Sequence, residues 1–378
     1  MDGTIRARMD MADMDPGEAR EAIAAAAIET LDWAALANVT PAPKAFVIPW
    51  LAPAGEVTLF TGPGSAGKSL LAQQLATALA AGVPTLRLDM GQAPAIYLTC
   101  EDDEGQLHWR QEHICKALGV PVASLAGKLH VASLRGALDN ALGAEGPDGE
   151  FTLSPAYHRL AAMIRRTGAK LVALDNVAHL FAGNENDRGE VTRFVNALNR
   201  LAGESGAAII LLGHPNKAGD SYSGSTAWLN AVRSQFTIEH DLHSDMRTVT
   251  VGKANYARKG EQLRFAWVDW AFVLEDDLPP DTARQLADTA KAHARNDAFL
   301  RCLALCTAQG RNVSHQPGSN HAPKVFAAMP EAKGLKKADF AAAMERLLSL
   351  GRIECDAELW RGADRKPRRG IRLVEGGE

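Results

Sequence analysis

Apolar and polar residues alternate along the middle of the chain in blocks that predict strands and helices in turn. Short apolar runs predict buried strands at EVTLFTG (56–62), PAIYLTC (94–100), KLVALD (170–175) and AAIILLGH (207–214). Longer segments between them, such as GKSLLAQQLATALAAG (67–82), have helical spacing of apolar residues. Strands that alternate with helices predict a parallel sheet covered on both faces.

Different patterns flank this block. Residues 234–276 predict antiparallel hairpins that extend the sheet. Trp267 and Trp270 are predicted to lie in its core, with base stacking as the minor alternative. After Pro279 and Pro280, helices followed by two strands and a basic turn predict a small winged-helix domain. The predicted domains are an acidic N-terminal lead with a helix over 15–39 (1–45), an α/β core (46–280) and a basic winged-helix-like domain (291–378).

Charge and cysteine content indicate where the chain could contact a polyanion and in which compartment it works. The net charge of the 378 residues is −4, but residues 1–50 carry 4 Lys/Arg against 8 Asp/Glu, and residues 291–378 carry 16 against 10. Any polyanion contact through the surface is therefore expected at the C-terminal end. Five cysteines, a polar N-terminus and no long apolar run predict a cytoplasmic protein that does not enter a membrane.

The segment TGPGSAGKSLL (61–71) follows the first predicted strand and opens the first helix. Glycines let the backbone N–H groups of such a loop turn toward phosphate oxygens, and the helix N-terminus adds a positive dipole end. A lysine then reaches the β- and γ-phosphates, and a hydroxyl ligates Mg²⁺. The predicted ATP-binding residues are Gly62, Pro63, Gly64, Ser65, Ala66, Gly67, Lys68, Ser69 and Leu70. Among them, Lys68 is also predicted to be catalytic and Ser69 to ligate Mg²⁺.

Polar residues follow three other predicted strands. Asp175 ends KLVALD and is predicted to hold Mg²⁺, the alternative being an aspartate that caps a turn. Glu101 is predicted to orient the attacking water, although the acidic cluster 101–104 also suits a helix start. His214 ends AAIILLGH, where a polar residue would touch both the γ-phosphate and the loop beyond. The alternative is an ordinary strand-end histidine.

The order of these segments resembles the RecA-like fold, and specifically the hexameric replicative helicases of the plasmid RepA type and their DnaB-like relatives. The resemblance covers about residues 46–275 and rests on GPGSAGKS, YLTCEDDE, LVALDN, LLGHPNKAG, GSTAWLNAVRSQF and VGKANY. The acidic residue directly after the second strand best distinguishes this family from other phosphate-loop folds, since many of those place the catalytic base elsewhere. The resemblance implies that Glu101 activates water, Asp175 holds Mg²⁺ and His214 couples the nucleotide state to a DNA-binding loop.

The resemblance also implies a homohexamer with ATP between subunits and a cation from the neighbouring subunit at the γ-phosphate. Arg233 is the best match for that arginine, and Lys253 resembles the lysine that accompanies it at the nucleotide. DnaB-like relatives have an arginine two places after the lysine, where this chain has Asn255. The assignment therefore stays open between Arg233, Lys253 and Arg258.

Three regions are predicted to contact DNA. In the family, two loops grip single-stranded DNA in the channel; here they are residues 182–190 and 215–226, whose cations are Arg188 and Lys217. The alternative is a pair of solvated loops without a ligand. The basic turn RGADRKPRRG (361–370) suits phosphate contacts, unless this domain docks a protein. Its predicted DNA-binding residues are Arg365, Arg368 and Arg369.

The sequence as a whole predicts a helicase that hydrolyses ATP with Mg²⁺ to move along single-stranded DNA during replication. Two alternatives stay open. One is a RecA-like recombination or repair ATPase, which binds DNA without unwinding it. The other is a DNA-binding regulator or loader that uses ATP as a switch.

Overall fold

The computed structural model describes residues 30–146, 151–213, 226–256, 258–362 and 365–374. The chain divides into two compact units, Met1–Pro43 and Lys44–Glu378. In the first unit, helix α1 (Trp33–Leu36) begins after Asp32, whose carboxylate accepts hydrogen bonds from two backbone N–H groups of the first turn. The rest of the helix predicted over residues 15–39 lies mostly outside the described residues.

The remaining elements belong to the second unit. Its strands are β1 (Phe46–Ile48), β2 (Ala52–Pro53), β3 (Val57–Thr61), β4 (Ala95–Thr99), β5 (Leu129–Ser133), β6 (Gly143–Glu145), β7 (Phe151–Leu153), β8 (Leu171–Asp175), β9 (Ala208–Gly213), β10 (Ser234–Asp241), β11 (Met246–Ala254), β12 (Gln262–Val268), β13 (Ala271–Leu274), β14 (Ile353–Arg361) and β15 (Pro367–Leu373). Its helices are α2 (Lys68–Ala81), α3 (Glu104–Leu118), α4 (Pro155–Thr167), α5 (Val177–Leu180), α6 (Arg188–Ser205), α7 (Thr226–Ala231), α8 (Pro280–Ala308), α9 (Ala322–Ala327) and α10 (Lys337–Ser349).

A nine-stranded sheet in the order β13-β12-β11-β10-β3-β9-β8-β4-β5 forms the centre of this unit. Strands β10, β3, β9, β8, β4 and β5 run parallel, and β11, β12 and β13 continue the sheet as antiparallel hairpins. Every residue of β4, β8 and β9 is buried, because both faces of the sheet are covered. The predicted α/β core with a parallel sheet and a β extension is confirmed.

Side chains of the sheet enter two separate hydrophobic cores. On one face of the sheet, helix α2 packs against strand residues such as Phe60 and Tyr97. On the other face, α6 packs its own Phe194 into a core that contains Leu174 of β8. Since parallel strands end at the same edge of a sheet, the residues after β3, β4 and β8 meet there. This edge carries the candidate site.

The hairpin of β12 and β13 is fastened to α2. The Gln74 side chain donates to the carbonyl of Phe272 (2.9 Å) and accepts from its backbone N–H (2.8 Å). The two-residue turn of the hairpin holds Asp269 and Trp270 at φ 46° and 67°. Two positive φ values suit a type I′ turn, which matches the twist of paired strands.

The C-terminal part consists of α8, α9 and α10 followed by the antiparallel pair of β14 and β15. Phe326 contacts Phe299 and Phe340 edge to face at the centre of its core, which also contains Cys302 and Cys306. Helix α8 starts at Pro280, so residues 281–290, which the sequence left between domains, are helical. In the described parts of the chain, no helix combines the length and apolar character that a bilayer crossing needs.

Candidate nucleotide site

The loop between β3 and α2 wraps around the Lys68 side chain. The Nζ atom of Lys68 donates hydrogen bonds to the backbone carbonyls of Gly62 (2.7 Å) and Pro63 (3.0 Å). Gly67 has φ 99°, and a Cβ atom there would lie 2.5 Å from Cζ of Phe272. Both the backbone conformation and the close aromatic ring therefore require glycine at this position.

Ser69 and Asp175 meet at the start of α2. Their side chains are hydrogen-bonded to each other, and the carboxylate also accepts a 2.7 Å hydrogen bond from the phenol of Tyr97. Burial raises the pKa of Asp175, while the hydrogen bonds from Ser69 and Tyr97 act to lower it. A hydroxyl and a carboxylate are hard oxygen ligands of the kind that Mg²⁺ prefers, so this pair fits the predicted metal site.

Glu101 lies in the segment between β4 and α3, beside this pair. Its Oε1 atom accepts a 2.5 Å hydrogen bond from Nδ2 of Asn176, the residue after β8. The next acids serve structural purposes: Asp103 caps α3 by accepting from a backbone N–H (2.8 Å), and Asp102 pairs with Arg110 (2.7 Å). The acidic cluster therefore combines a helix start with a carboxylate that lines the cavity described next.

A cavity of about 320 Å³ joins these groups. Its walls include residues 65–70, Glu101 and Asp175, so the structure brings most of the predicted nucleotide residues together. Burial lowers the pKa of Lys68, while the nearby carboxylates of Asp175 and Glu101 act to raise it. A triphosphate would add negative charge beside this amine, which offsets the cost of burying a cation.

Sequence reasoning missed several residues that line this cavity. These residues are Gln106, Arg110, Arg247, Trp267 and Trp270. The prediction that Trp267 and Trp270 are core residues is wrong, since their exposed fractions are 37% and 40%. The tight turn between β12 and β13 brings both indoles to the surface. A pair of tryptophans separated by two residues around a polar turn residue was the signal available in the sequence.

Arg233 and Lys253 do not line this cavity. Ser234 at the start of β10 pairs with Thr58 of β3, three residues before the strand end that leads into the phosphate loop. At about 3.3 Å per residue, Arg233 is separated from that end by at least about 10 Å along the sheet. Lys253 donates to the carbonyl of Leu229 (2.6 Å), and burial, helped by the charge of Arg233, lowers its pKa.

Arg233 lines a second cavity, of about 760 Å³, which runs beside α6. Arg188 lines the same cavity from the first turn of α6, where it is exposed. Arg188 belongs to the predicted channel loop 182–190 and is also the first residue of α6. Asp187 caps this helix, because its carboxylate accepts hydrogen bonds from the backbone N–H groups of residues 189 and 190.

The other predicted contacts are scattered. His214 and Lys217 lie outside the described residues. Arg258 is exposed after β11. The exposed residues Arg365, Arg368 and Arg369 lie on the β14–β15 hairpin, in the turn or on β15.

The phosphate loop, the strand-end carboxylates and the mostly parallel sheet define an ATPase of the P-loop class. A family model described as AAA domain matches residues 24–220, more than half of the 378 residues, and the chain belongs to this family. The matched region contains Lys68, Glu101 and Asp175. Arg233, the tryptophans of the β12–β13 hairpin and the C-terminal part follow it.

Proposed function

We propose that the protein is a DNA helicase or translocase of the RepA type, in which ATP is hydrolysed between the subunits of a homohexamer in the cytoplasm. One observation carries this proposal. Lys68, Ser69, Glu101 and Asp175 surround one cavity, whereas Lys253 does not line it and Arg233 lines a different cavity, together with Gly55 and Glu56. Cations outside the cavity of their own subunit would be available to the cavity of the next subunit in a head-to-tail ring.

Within one subunit, each side chain has a separate task. Backbone N–H groups of residues 62–70 and the amine of Lys68 would hold the phosphates. Mg²⁺, held by Ser69 and Asp175, would neutralise phosphate charge and so favour phosphoryl transfer. Glu101 would accept a proton from the attacking water, with Asn176 fixing the carboxylate through its 2.5 Å hydrogen bond. His214 would report the state of the γ-phosphate to the loop that follows it.

A neighbouring subunit would complete the site. Arg233 is exposed, as the cation of a subunit interface must be before assembly. Lys253 is partly buried and held by a backbone carbonyl, which suits a supporting role beside Arg233. A cation at the γ-phosphate stabilises the charge of the transition state. Arg258 remains the other candidate for this position.

Two surfaces would bind DNA. The channel surface would include Arg188 and Lys217, repeated around the ring. The C-terminal part would act as a winged helix, with the β14–β15 hairpin as its wing. Arg365, Arg368 and Arg369 on this hairpin are exposed, so they are available for phosphate contacts.

Fork unwinding tests the proposal most directly. The wild-type chain should displace a strand from a forked duplex with ATP and Mg²⁺, and Lys68→Ala should lose both hydrolysis and unwinding. Electron microscopy of the assembly should show closed rings. Filaments without unwinding would favour a recombination ATPase. DNA binding with slow hydrolysis and no strand displacement would favour a switch or loader.

A further inference from the structure

Three partly exposed tryptophans form a cluster at the mouth of the nucleotide cavity. The Trp270 ring lies 4.4 Å from the rings of both Trp109 and Trp267 and meets each edge to face, at 79° and 88°. The exposed fractions of the three residues lie between 37% and 40%. Trp267 and Trp270 line the same cavity as Lys68 and Ser69. Rings that meet edge to face leave face area open to a flat ligand.

The cluster is held in a fixed position relative to the phosphate loop. Trp270 directly precedes β13, and Phe272 of that strand packs against Gly67 of the loop. The Gln74 side chain, on the helix that the loop opens, bonds both backbone groups of Phe272. The backbone that carries Trp270 is therefore anchored to the phosphate loop through Phe272.

Trp270 also occupies a costly backbone position. Its φ of 67° lies in the left-handed region, where turns of this type favour asparagine or glycine. A bulky residue there costs conformational free energy, and such outliers concentrate at binding sites. The three indoles also expose apolar area that packing inside the subunit leaves uncovered.

We infer that Trp270 forms a stacking platform for the base of the bound nucleotide, with the nearly perpendicular Trp267 ring bordering the base and Trp109 bracing Trp270. This inference rests on the nucleotide-binding part of the proposed function. The cavity continues from the phosphate-loop residues to the indoles, so one ligand with an anionic end and a flat aromatic end fits both. Stacking depends on the ring face rather than on base-edge hydrogen bonds. The platform accordingly distinguishes a nucleotide from a bare triphosphate.

The test compares two ligands that share their phosphates. Isothermal titration measures the binding of a nonhydrolysable ATP analogue and of inorganic tripolyphosphate, both with Mg²⁺, to the full chain. Trp270→Ala should weaken the analogue about 10- to 100-fold and change tripolyphosphate less than about 2-fold. Trp270→Phe should keep most of the analogue affinity. Trp33→Ala, which removes an exposed tryptophan in the other compact unit, is the matched control and should change neither ligand.

Other outcomes overturn the inference. Equal weakening of both ligands would mean that Trp270 only supports the phosphate loop. An unchanged analogue affinity with a smaller assembly on size-exclusion chromatography would make the cluster a subunit contact, and weaker single-stranded DNA binding alone would make it a DNA contact. Trp267→Ala provides the same comparison if Trp270→Ala does not fold.

A separate control tests nucleotide binding itself. Lys68→Ala should lose both ligands. A wild-type chain that binds neither ligand would refute nucleotide binding and the platform together.

Discussion

The phenol of Tyr97 donates a 2.7 Å hydrogen bond to Oδ2 of Asp175 across two neighbouring strands. Both side chains are buried, and burial raises the pKa of Tyr97 well above its ordinary value, so the donor proton stays in place at any physiological pH. Tyr97 is thus a positioning residue for the carboxylate that would hold Mg²⁺. The arrangement of second-layer groups around a metal ligand commonly decides how well the ligand is oriented.

Tyr97→Phe should therefore raise the Mg²⁺ concentration that supports half-maximal hydrolysis by about 10- to 100-fold. The lost hydrogen bond frees the Asp175 carboxylate to rotate, while the ring still fills the core. A Mg²⁺ titration of ATPase activity measures this change, with thermal unfolding as the folding control. A fall in kcat at saturating Mg²⁺ with an unchanged Mg²⁺ requirement would contradict the positioning role.

Glu101→Gln should retain nucleotide binding and lose about 10²- to 10⁴-fold in the rate of hydrolysis. The amide keeps the shape of the side chain but cannot accept the proton of the attacking water. Single-turnover hydrolysis, measured beside equilibrium binding of a nonhydrolysable analogue, separates the two effects. Asp103→Asn serves as the control, because Asp103 caps α3 and an asparagine can do the same. Near-normal turnover in Glu101→Gln would assign the base elsewhere.

Mixing two inactive variants tests the position of Arg233. Lys68→Ala disables the cavity of its own subunit and keeps Arg233, whereas Arg233→Ala keeps the cavity and loses the cation. If the cation acts on the neighbouring subunit, mixed assemblies contain some complete sites and should recover a substantial part of the ATPase rate. Arg258→Ala run in the same way checks the other candidate. Failure of every mixture to recover activity would argue for sites completed within one subunit.

Asp175→Asn should raise the Tm of the nucleotide-free, Mg²⁺-free protein at pH 7. Burial raises the pKa of this carboxyl above 3.8, so the folded state binds its proton more readily than the unfolded state. Stability is therefore lost as the pH rises from about 4 through the folded pKa, and the charged form carries that cost at pH 7. Thermal unfolding between about pH 4 and pH 7 should show the Tm difference shrinking toward acid. A lower Tm for Asp175→Asn at pH 7 would contradict this account.

The sequence predicted those parts of the site that follow from strand ends. Lys68, Glu101 and Asp175 come directly after or within recognisable strand and loop patterns, and parallel topology then brings them together. Tyr97 could not be singled out in this way, since it reads as one more apolar position in PAIYLTC. Its role depends on the strand order that places β4 beside β8, which a linear pattern does not contain.

The tryptophans show a different limit. A β-rich stretch with aromatic residues favours burial, yet the turn at residues 269 and 270 directs both Trp267 and Trp270 toward the cavity mouth. The backbone conformation of two turn residues therefore decides where both tryptophan side chains lie.

Strand β13 lies at the margin of the nine-stranded sheet, where unpaired backbone groups could recruit strands of other molecules and seed aggregation. At Phe272, the side-chain amide of Gln74 forms the two backbone hydrogen bonds that a further strand would otherwise form. The helix that begins at the phosphate loop thereby covers part of this edge strand and reduces its tendency to pair with other molecules. We expect that loss of the Gln74 amide would increase aggregation and lower the expression yield, in addition to lowering the ATPase activity.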